Sequence, residues 1–184
     1  MISIRAKNSF DQMLMLGIRA SMGNTLSSDC EVEVLTEPDK IQETQVVMLT
    51  VASYVFRLLV MVYFTPNEST KTHFANINNV DAAAMTEQTF LDAIQECGNI
   101  CCGTLNRELA RFFPHVGMST PNIIERECVS YLGHLPEGYL KHFRILNAAG
   151  QPFYFGVCVR DFANIDFEWT PAENIVAAGE VEFF

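Results

Sequence analysis

Apolar residues recur at three- and four-residue steps in two segments of the chain, which predicts two long helices. In the first segment, Ser9 and Gln12 have the spacing of a capping box, so we expect the helix to begin there. Gly23 is well placed to end it.

The second helix is predicted to be the longest element. Thr86 is its expected N-cap, and the periodic pattern continues to about Phe113, where Pro114 ends it. The same pattern predicts a core-facing side made of Leu91, Ile94, Gly98, Cys101, Leu105 and Phe112.

Other segments alternate with a period of two or form short apolar runs, which is typical of strands. Residues 31–35 predict one strand, and the apolar run 46–64 predicts two buried strands joined by a turn near 52–55. Residues 142–146 and 153–159 flank Asn147-Ala-Ala-Gly150 and predict a hairpin. Weaker signals predict a loop at 66–72, an edge segment at 72–80, a strand at 116–119 and a last strand at 179–184, and leave 122–132 ambiguous.

The order of helix, strands, helix, strands predicts an α+β fold with a mainly antiparallel sheet and long helices packed on one face. It also suggests an internal repeat. A shift of 80 residues aligns Phe10 with Phe90 and Gly23 with Gly103. We therefore expect a single domain over 1–184, built of two similar halves at about 1–80 and 81–184.

Composition narrows the classes of partner. The 184 residues include 22 acidic and 12 basic side chains, for a net charge of −10. This balance argues against a nucleic acid or an anionic membrane surface as partner, and it is compatible with a basic protein. No secretory signal is evident, and Thr50, Ser53 and Arg57 interrupt the longest apolar run. A cytoplasmic protein is expected.

Six cysteines lack the spacing of a metal site, and the four histidines are scattered. Small buried apolar side chains are the better interpretation, and free thiols are expected. The six are Cys30, Cys97, Cys101, Cys102, Cys128 and Cys158.

One polar stripe on the second helix is the candidate for chemistry. Asp92, Glu96, Asn99, Gly103 and Asn106 follow at steps of four, three, four and three residues, which places them on one face. Gly103 leaves a gap beside Asn99, where no side chain covers the helix. On spacing alone, the ordinary solvated face of an amphipathic helix is the better explanation of the stripe.

The stripe resembles a known signature. Three residues separate Asp92 from Glu96, two separate Glu96 from Asn99, and 21 separate Asn99 from Pro121. This spacing is similar to the motif of the CheC/CheX/FliY family of response-regulator phosphatases. Members of that family are built from two similar halves. The resemblance therefore implies a CheC-like fold, with the match itself covering about 30 residues.

Helix one has no second copy of the motif. It carries Gln12, Leu16 and Arg19 where the second helix has Asp92, Glu96 and Asn99. The pattern is thus closest to single-site, CheX-like members, and this resemblance implies a homodimer. Nothing in the residues themselves indicates one.

The resemblance implies a hydrolase of bacterial chemotaxis or related two-component signalling, acting on the aspartyl phosphate of a CheY-type response regulator. Glu96 would pair with a lysine of the receiver domain, and Asn99 would hold the attacking water. Asp92, Gly103 and Pro121 would support them, Pro121 by shaping the backbone. The receiver would supply Mg²⁺, and no cofactor is expected on this chain.

Two alternatives stay open. The first is a non-catalytic module of the same fold, which binds a response regulator or the flagellar switch. The second is an unrelated α+β domain whose motif is accidental. Burial of Glu96 and Asn99 against the chain's own sheet would favour the second.

Overall fold

The computed structural model describes residues 1–23, 26, 32–36, 40–134 and 138–171. Within them lie α-helices and β-strands with these bounds: α1 Ile4–Met22, β1 Val32–Leu35, β2 Gln45–Ala52, β3 Phe56–Phe64, α2 Glu68–Ile77, α3 Glu87–Leu109, β4 Gly117–Met118, β5 Asn122–Glu125, β6 Tyr139–Leu146 and β7 Pro152–Asp161. Two 3₁₀ helices, Ala82–Ala84 and Arg126–His134, complete the order.

The strands form one antiparallel sheet in the order β1-β6-β7-β3-β2, and both β4 and β5 pair with the outer edge of β2. The order is symmetric about the central β3–β7 pair. If β1, β2 and β3 are matched to β4/β5, β6 and β7, the sheet reads the same from either edge. The fold is therefore α+β with two similar halves, as predicted. The division at residue 80 stays a prediction.

Helices α1 and α3 pack together on one face of the sheet, where the larger core lies. Two glycines permit this close approach. A Cβ atom on Gly17 would lie 2.7 Å from the carbonyl oxygen of Cys101, and one on Gly98 would lie 2.8 Å from Cδ1 of Leu49. Gly17 thus sets the crossing of the helices, and Gly98 seats α3 on β2, which is the close packing that its sequence position suggested.

The opposite face of the sheet carries a smaller apolar cluster near the 3₁₀ helix Arg126–His134, which contributes Val129. Inside it, Nε2 of His142 and the hydroxyl group of Tyr63 lie 2.7 Å apart in a buried hydrogen bond. Burial raises the pKa of Tyr63 and lowers the pKa of His142 to about 4. This cluster covers only part of the sheet face.

After β7, the chain returns across the helices as an extended strap, residues 162–171. Phe167 packs edge-on against Phe10 of α1. Trp169 is 5% exposed, its backbone N–H donates to Ser9 Oγ at 2.9 Å, and its indole Nε1 donates to Glu108 at 3.0 Å. The strap therefore joins both helices to the end of the sheet.

The prediction for the start of α1 is wrong. The helix begins at Ile4, and Ser3 is the N-cap, since its side chain accepts from the N–H of Ala6. Ser9 is buried within the helix and donates to the carbonyl of Arg5 at 2.8 Å. The predicted end is correct, because Gly23 is the C-cap with φ of 52°.

Helix α3 begins after its predicted N-cap, Thr86, but it ends at Leu109, four residues before Phe113. The N–H groups of Phe112 and Phe113 both bond to the carbonyl of Leu109, which tightens the last turn. Both rings then contact Phe167 of the strap. The helix therefore ends five residues before Pro114, in a turn that places both rings on the strap.

The loop and edge segment predicted for 66–80 are also wrong, because α2 occupies most of that range. Asn67 is its N-cap and accepts from the N–H of Thr70 at 3.0 Å. The helix buries Phe74 and Ala75 against the core.

Most of the strand predictions are confirmed. These are the strand predicted at 31–35, whose residues 32–35 form β1, the pair within 46–64, the short strand predicted at 116–119, which is β4, and the hairpin on either side of 147–150. The ambiguous segment 122–132 holds β5 and most of a 3₁₀ helix. The predicted strand at 179–184 and Cys30 lie outside the described residues.

Of the other five cysteines, all are free, and Cys128 is exposed whereas the rest are buried as expected. Burial raises the pKa of Cys97 to about 11 and that of Cys102 to about 12. Among the described residues, no helix is both long and apolar enough to cross a membrane.

Candidate functional site

The polar stripe lies on the side of α3 that faces away from the sheet. The opposite side of this helix, which includes Gly98, packs on β2, and the 3.6-residue period turns the stripe residues outward. Asp92 and Glu96 are exposed, and Asn99 and Gly103 are partly exposed. Burial of Glu96 and Asn99 against the sheet would have favoured the accidental-motif alternative, and that burial is not observed.

Glu96 and Asn99 contact each other directly. Nδ2 of Asn99 donates to Oε2 of Glu96 at 3.2 Å, across one turn of the helix. The pair thus places one carboxylate and one amide together at the surface, with the Asn99 carbonyl oxygen still able to accept. A helix fixes the backbone under both groups, so their relative geometry is better defined than it would be on a loop.

The first member of the motif is engaged elsewhere. Oδ1 of Asp92 accepts from Nε2 of Gln88 at 2.8 Å, which joins it to the preceding turn of α3. Asp92 therefore lies on the same face as Glu96 without joining the Glu96–Asn99 pair.

Gly103 continues the stripe as an open position. A Cβ atom there would find Sδ of Met118 at 3.9 Å, which is ordinary van der Waals contact, and no other atom within 4 Å. The surface beside Asn99 therefore has a shallow depression, where the surroundings require no glycine for packing. This agrees with the gap expected at this position.

Asn106 departs from the rest of the stripe. Its side chain is partly buried, and its Oδ1 is a buried oxygen without a hydrogen-bond partner in the described part of the chain. We therefore do not group it with the solvent-facing pair.

Pro121 lies at the sheet edge below α3, between β4 and β5, which both pair with β2. The ladder is interrupted there. Ser119 supplies the hydrogen bonds to β2 at this point. Its hydroxyl oxygen accepts from the N–H of Thr50 at 3.0 Å, and its own N–H donates to the carbonyl of Thr50 at 2.9 Å. Proline has no N–H to lose at such an interruption, which suits a structural role.

Sequence reasoning missed two apolar neighbours of the site. Ile100 follows Asn99 and is 40% exposed, and Met118 beside Gly103 is 39% exposed. Both are apolar side chains that reach the surface on the side of α3 and β4 where the polar pair lies. Ile100 could have been identified from the sequence, since it is an aliphatic residue near the polar side of the helix. Met118 could not, because only the fold brings β4 close to α3.

The corresponding surface of α1 has different chemistry. Gln12, Leu16 and Arg19 are exposed there, so the first helix presents an amide, an aliphatic group and a guanidinium. The carboxylate–amide pair occurs on α3 and not on α1. Among the described residues, no three His, Cys, Asp or Glu side chains converge in a way that suits a metal ion.

No model of a protein family matches the chain, and no curated protein matches it significantly. Several solved structures do match the chain. A CheC-like superfamily protein from Shewanella sp. PV-4 superposes with a TM-score of 0.61 at 9% identity, covering 83% of this chain and 97% of that one. Chemotaxis protein CheX from Vibrio vulnificus gives 0.61 at 12% identity, covering 82% and 99%.

A third similar structure is a complex. CheX from Borrelia burgdorferi, solved with CheY, BeF₃ and Mg²⁺, gives a TM-score of 0.61 at 14% identity and covers 84% of this chain and 97% of that one. These likenesses span nearly the whole length of each known protein. The chain therefore has the CheC-like fold that CheC-like and CheX proteins share.

Proposed function

We propose that this protein is a phosphatase that removes the phosphoryl group from the aspartyl phosphate of a CheY-type response regulator. The observation that carries the proposal is the exposed Glu96–Asn99 pair on α3, set in a CheC-like fold. A structure of the same fold in complex with CheY supports the class of partner. Bacterial chemotaxis, or a related two-component pathway, is the setting.

The reaction requires little covalent chemistry from the enzyme. Water attacks the phosphorus atom, the bond between phosphorus and the aspartyl oxygen breaks, and inorganic phosphate leaves the free carboxylate behind. An acyl phosphate is already reactive, so catalysis rests on placing the water in line and on balancing charge. Mg²⁺ belongs to the receiver in this proposal and neutralises charge on the phosphoryl oxygens.

Asn99 is the residue that positions the water. Its carbonyl oxygen can accept a hydrogen bond from water, and its amide can donate one to a water or phosphoryl oxygen. In the free chain this amide donates to Glu96, at 3.2 Å. Only one N–H of the amide is held in this way, so its second N–H and the carbonyl oxygen can both contact a water molecule or a phosphoryl oxygen.

Glu96 has a replacement partner in the complex. We infer that its exposed carboxylate pairs with a lysine of the receiver, which orients the receiver with Asn99 close to the phosphoryl group. Ile100, Met118 and the depression at Gly103 form the apolar rim on which the receiver is seated.

The test is phosphate release from a phosphorylated, Mg²⁺-loaded CheY-type receiver of the same organism. Wild type, Glu96→Ala and Asn99→Ala are compared with Gln88→Ala as control, because Gln88 is exposed on the same helix outside the pair. We expect acceleration by wild type and the control. Asn99→Ala should bind the receiver without accelerating release, and Glu96→Ala should bind more weakly.

A second function has a specific observation in its favour. The polar stripe carries no serine, threonine, cysteine or histidine side chain, so the same surface would also suit a module that binds a receiver without turnover. Equal binding by wild type and Asn99→Ala, with no acceleration by either, would replace the phosphatase with this module. Absence of binding to every chemotaxis receiver of the organism would remove both.

A further inference from the structure

The sheet face opposite to α1 and α3 has a concavity that the proposed phosphatase site does not use. It lies where the apolar cluster near the 3₁₀ helix Arg126–His134 ends, and its volume is about 500 Å³. That volume lies within the usual range for small-molecule sites. The residues that line it are Thr50, Ala52, Arg57, Leu59, Cys158 and Arg160.

Two arginines face each other in this concavity. Arg57 on β3 and Arg160 on β7 are directly opposite in the antiparallel register, so both side chains project from the same sheet face. Like charges at such positions repel and destabilise the pair of strands. Alternation along a strand places Leu59 and Cys158, the next cross-strand pair on this face, as an apolar floor beside them.

Neither guanidinium group has an ion-pair or hydrogen-bond partner among the described residues. The other six arginines are engaged: Arg5 with Asp166, Arg107 and Arg111 with Glu108, Arg126 with Glu127, Arg144 with Glu33, and Arg19 in a further contact. Although the chain has 22 acidic residues, the two arginines that have no partner within the described ranges are the two that face one another.

The nearest carboxylate in sequence does not relieve them. Asp161 follows Arg160, but alternation along β7 turns it to the other sheet face, where it pairs with the amino group of Met1. The positive charge of the concavity is therefore not neutralised by its immediate neighbours.

We propose that this concavity binds a small phosphate-bearing molecule, with the phosphate groups held between Arg57 and Arg160. Two guanidinium groups offer paired N–H donors that fit phosphate oxygens in a bidentate manner, and together they balance two negative charges. Leu59 and Cys158 provide an apolar surface for the body of the molecule. A concavity lined by only six residues suits a metabolite better than an extended polypeptide.

The proposal is independent of the phosphatase. Residues of the concavity lie on the sheet face away from α3, so receiver binding and turnover need not change when the site is altered. This separation allows the two hypotheses to fail separately.

The experiment titrates the full chain with pyrophosphate and with ADP by isothermal titration calorimetry at low ionic strength. Arg57→Gln, Arg160→Gln and the double variant are compared with Arg144→Gln. The control lies on the same sheet face and removes the same charge, but its guanidinium pairs with Glu33. Backbone amide shifts of 50–52, 57–59 and 158–160 locate the bound molecule.

We expect saturable binding that weakens about tenfold or more in each single variant, is lost in the double variant and changes less than about twofold in the control. Tighter binding of ADP than of pyrophosphate would show that the floor contacts the organic body. Both single variants should unfold at the same temperature as wild type or higher, since one of two repelling charges is gone.

Three results would overturn the proposal. The first is no saturable binding at millimolar ligand, and the second is unchanged affinity in the double variant. The third is binding of an acidic peptide such as polyglutamate, lost in the double variant, when neither phosphate compound binds; that outcome would assign the face to an acidic protein segment.

Discussion

Asn99 donates its side-chain amide to the carboxylate of Glu96 at 3.2 Å, so the two groups proposed to act on the receiver hold each other while it is absent. This contact orders both side chains at the protein surface. One N–H of the amide is held by Glu96, and its second N–H and carbonyl oxygen stay available. A receiver lysine that pairs with Glu96 would release the held N–H as well.

Asn99→Asp tests the donor directly. The substitution keeps size and shape, removes the amide donor and places a second carboxylate beside Glu96. We expect turnover to fall by about 100-fold or more, because the residue can no longer donate and the local charge repels the phosphoryl oxygens. Phosphate release from the phosphorylated receiver measures this.

Gln88→Glu is the matched control for that substitution. It replaces an amide donor by a carboxylate beside Asp92, about three turns before Asn99 on the same helix, and so adds the same charge outside the Glu96–Asn99 pair. Turnover should change less than about threefold, which is within the effect of an added surface charge. Equal losses in both variants would mean that net charge on α3, and not Asn99 itself, governs the reaction.

Substitutions of Gly103 distinguish access to the surface beside Asn99 from the stability of the fold. Because a Cβ atom there meets only Met118 at 3.9 Å, Gly103→Ala should stabilise the protein by about 0.5 to 1 kcal/mol through helix propensity. Gly103→Trp should fold equally well and bind the receiver more weakly, since its ring would fill the depression beside Asn99. Urea unfolding and receiver titration give the two quantities, and normal binding by the tryptophan variant would exclude this surface from the interface.

Gly17 is expected to give the opposite result in stability. A Cβ atom there lies 2.7 Å from the backbone carbonyl oxygen of Cys101, which cannot move without displacing α3. Gly17→Ala should therefore destabilise the fold by about 1 to 3 kcal/mol despite alanine's higher helix propensity. The comparison with Gly103→Ala in urea unfolding is decisive, because a gain in both variants would contradict the close helix crossing.

The sequence predicted the parts of the fold that local signals determine. Gly23 ends α1 because its positive φ suits glycine, and Thr86 caps α3 through its own side chain. The spacing of Glu96 and Asn99 predicted a shared exposed face. All of these depend on residues a few positions apart.

Several predictions were wrong where contacts between distant segments of the chain determine the structure. Ser3, and not Ser9, caps α1 where Asp166 of the strap accepts from the Ser3 hydroxyl group at 2.6 Å. Phe112 leaves the helical pattern to contact Phe167. Met118 joins the candidate site only through the pairing of β4 with β2. Such contacts leave no periodic trace in the sequence.

Two buried histidines predict a loss of stability in mild acid. Burial lowers the pKa of His73 and of His142 to about 4, from an ordinary value of 6.5. The unfolded chain therefore takes up protons at higher pH than the folded one. Their contribution to stability is complete above pH 6.5 and is lost as the pH falls from 6.5 to 4.

The free energy of unfolding at pH 7 and pH 4.5 measures this effect. His73 stacks on Phe153, with ring centroids 4.2 Å apart, so His73→Phe keeps a ring at that position without a titrating group. We expect the fall between the two pH values to be smaller in the variant by about 1 to 3 kcal/mol. An equal fall in both proteins would mean that His73 is protonated freely in the folded state.

Trp169 and Glu108 provide a test of the strap. Trp169 is the single tryptophan of the chain, and at 5% exposure its fluorescence should be that of an indole shielded from water. Partial burial by itself would raise the pKa of Glu108, but hydrogen bonds from Trp169, Arg111 and Arg107 lower it overall from the ordinary 4.5. The contribution of this group to stability is therefore present above pH 4.5 and is lost as the pH falls through the lower, folded value.

Glu108→Gln should move the Trp169 emission to longer wavelength at pH 7, because a neutral amide holds the indole N–H and the two arginines less strongly than a carboxylate. The helices and the sheet should remain folded, since α1 and α3 also pack through Gly17 and the shared core. Arg5→Gln, which removes the ion pair with Asp166 at the other end of the strap, is the control and should leave the emission unchanged. If Glu108→Gln leaves it unchanged as well, burial of Phe167 and Trp169 alone holds the strap, and the charged cluster at Glu108 does not contribute.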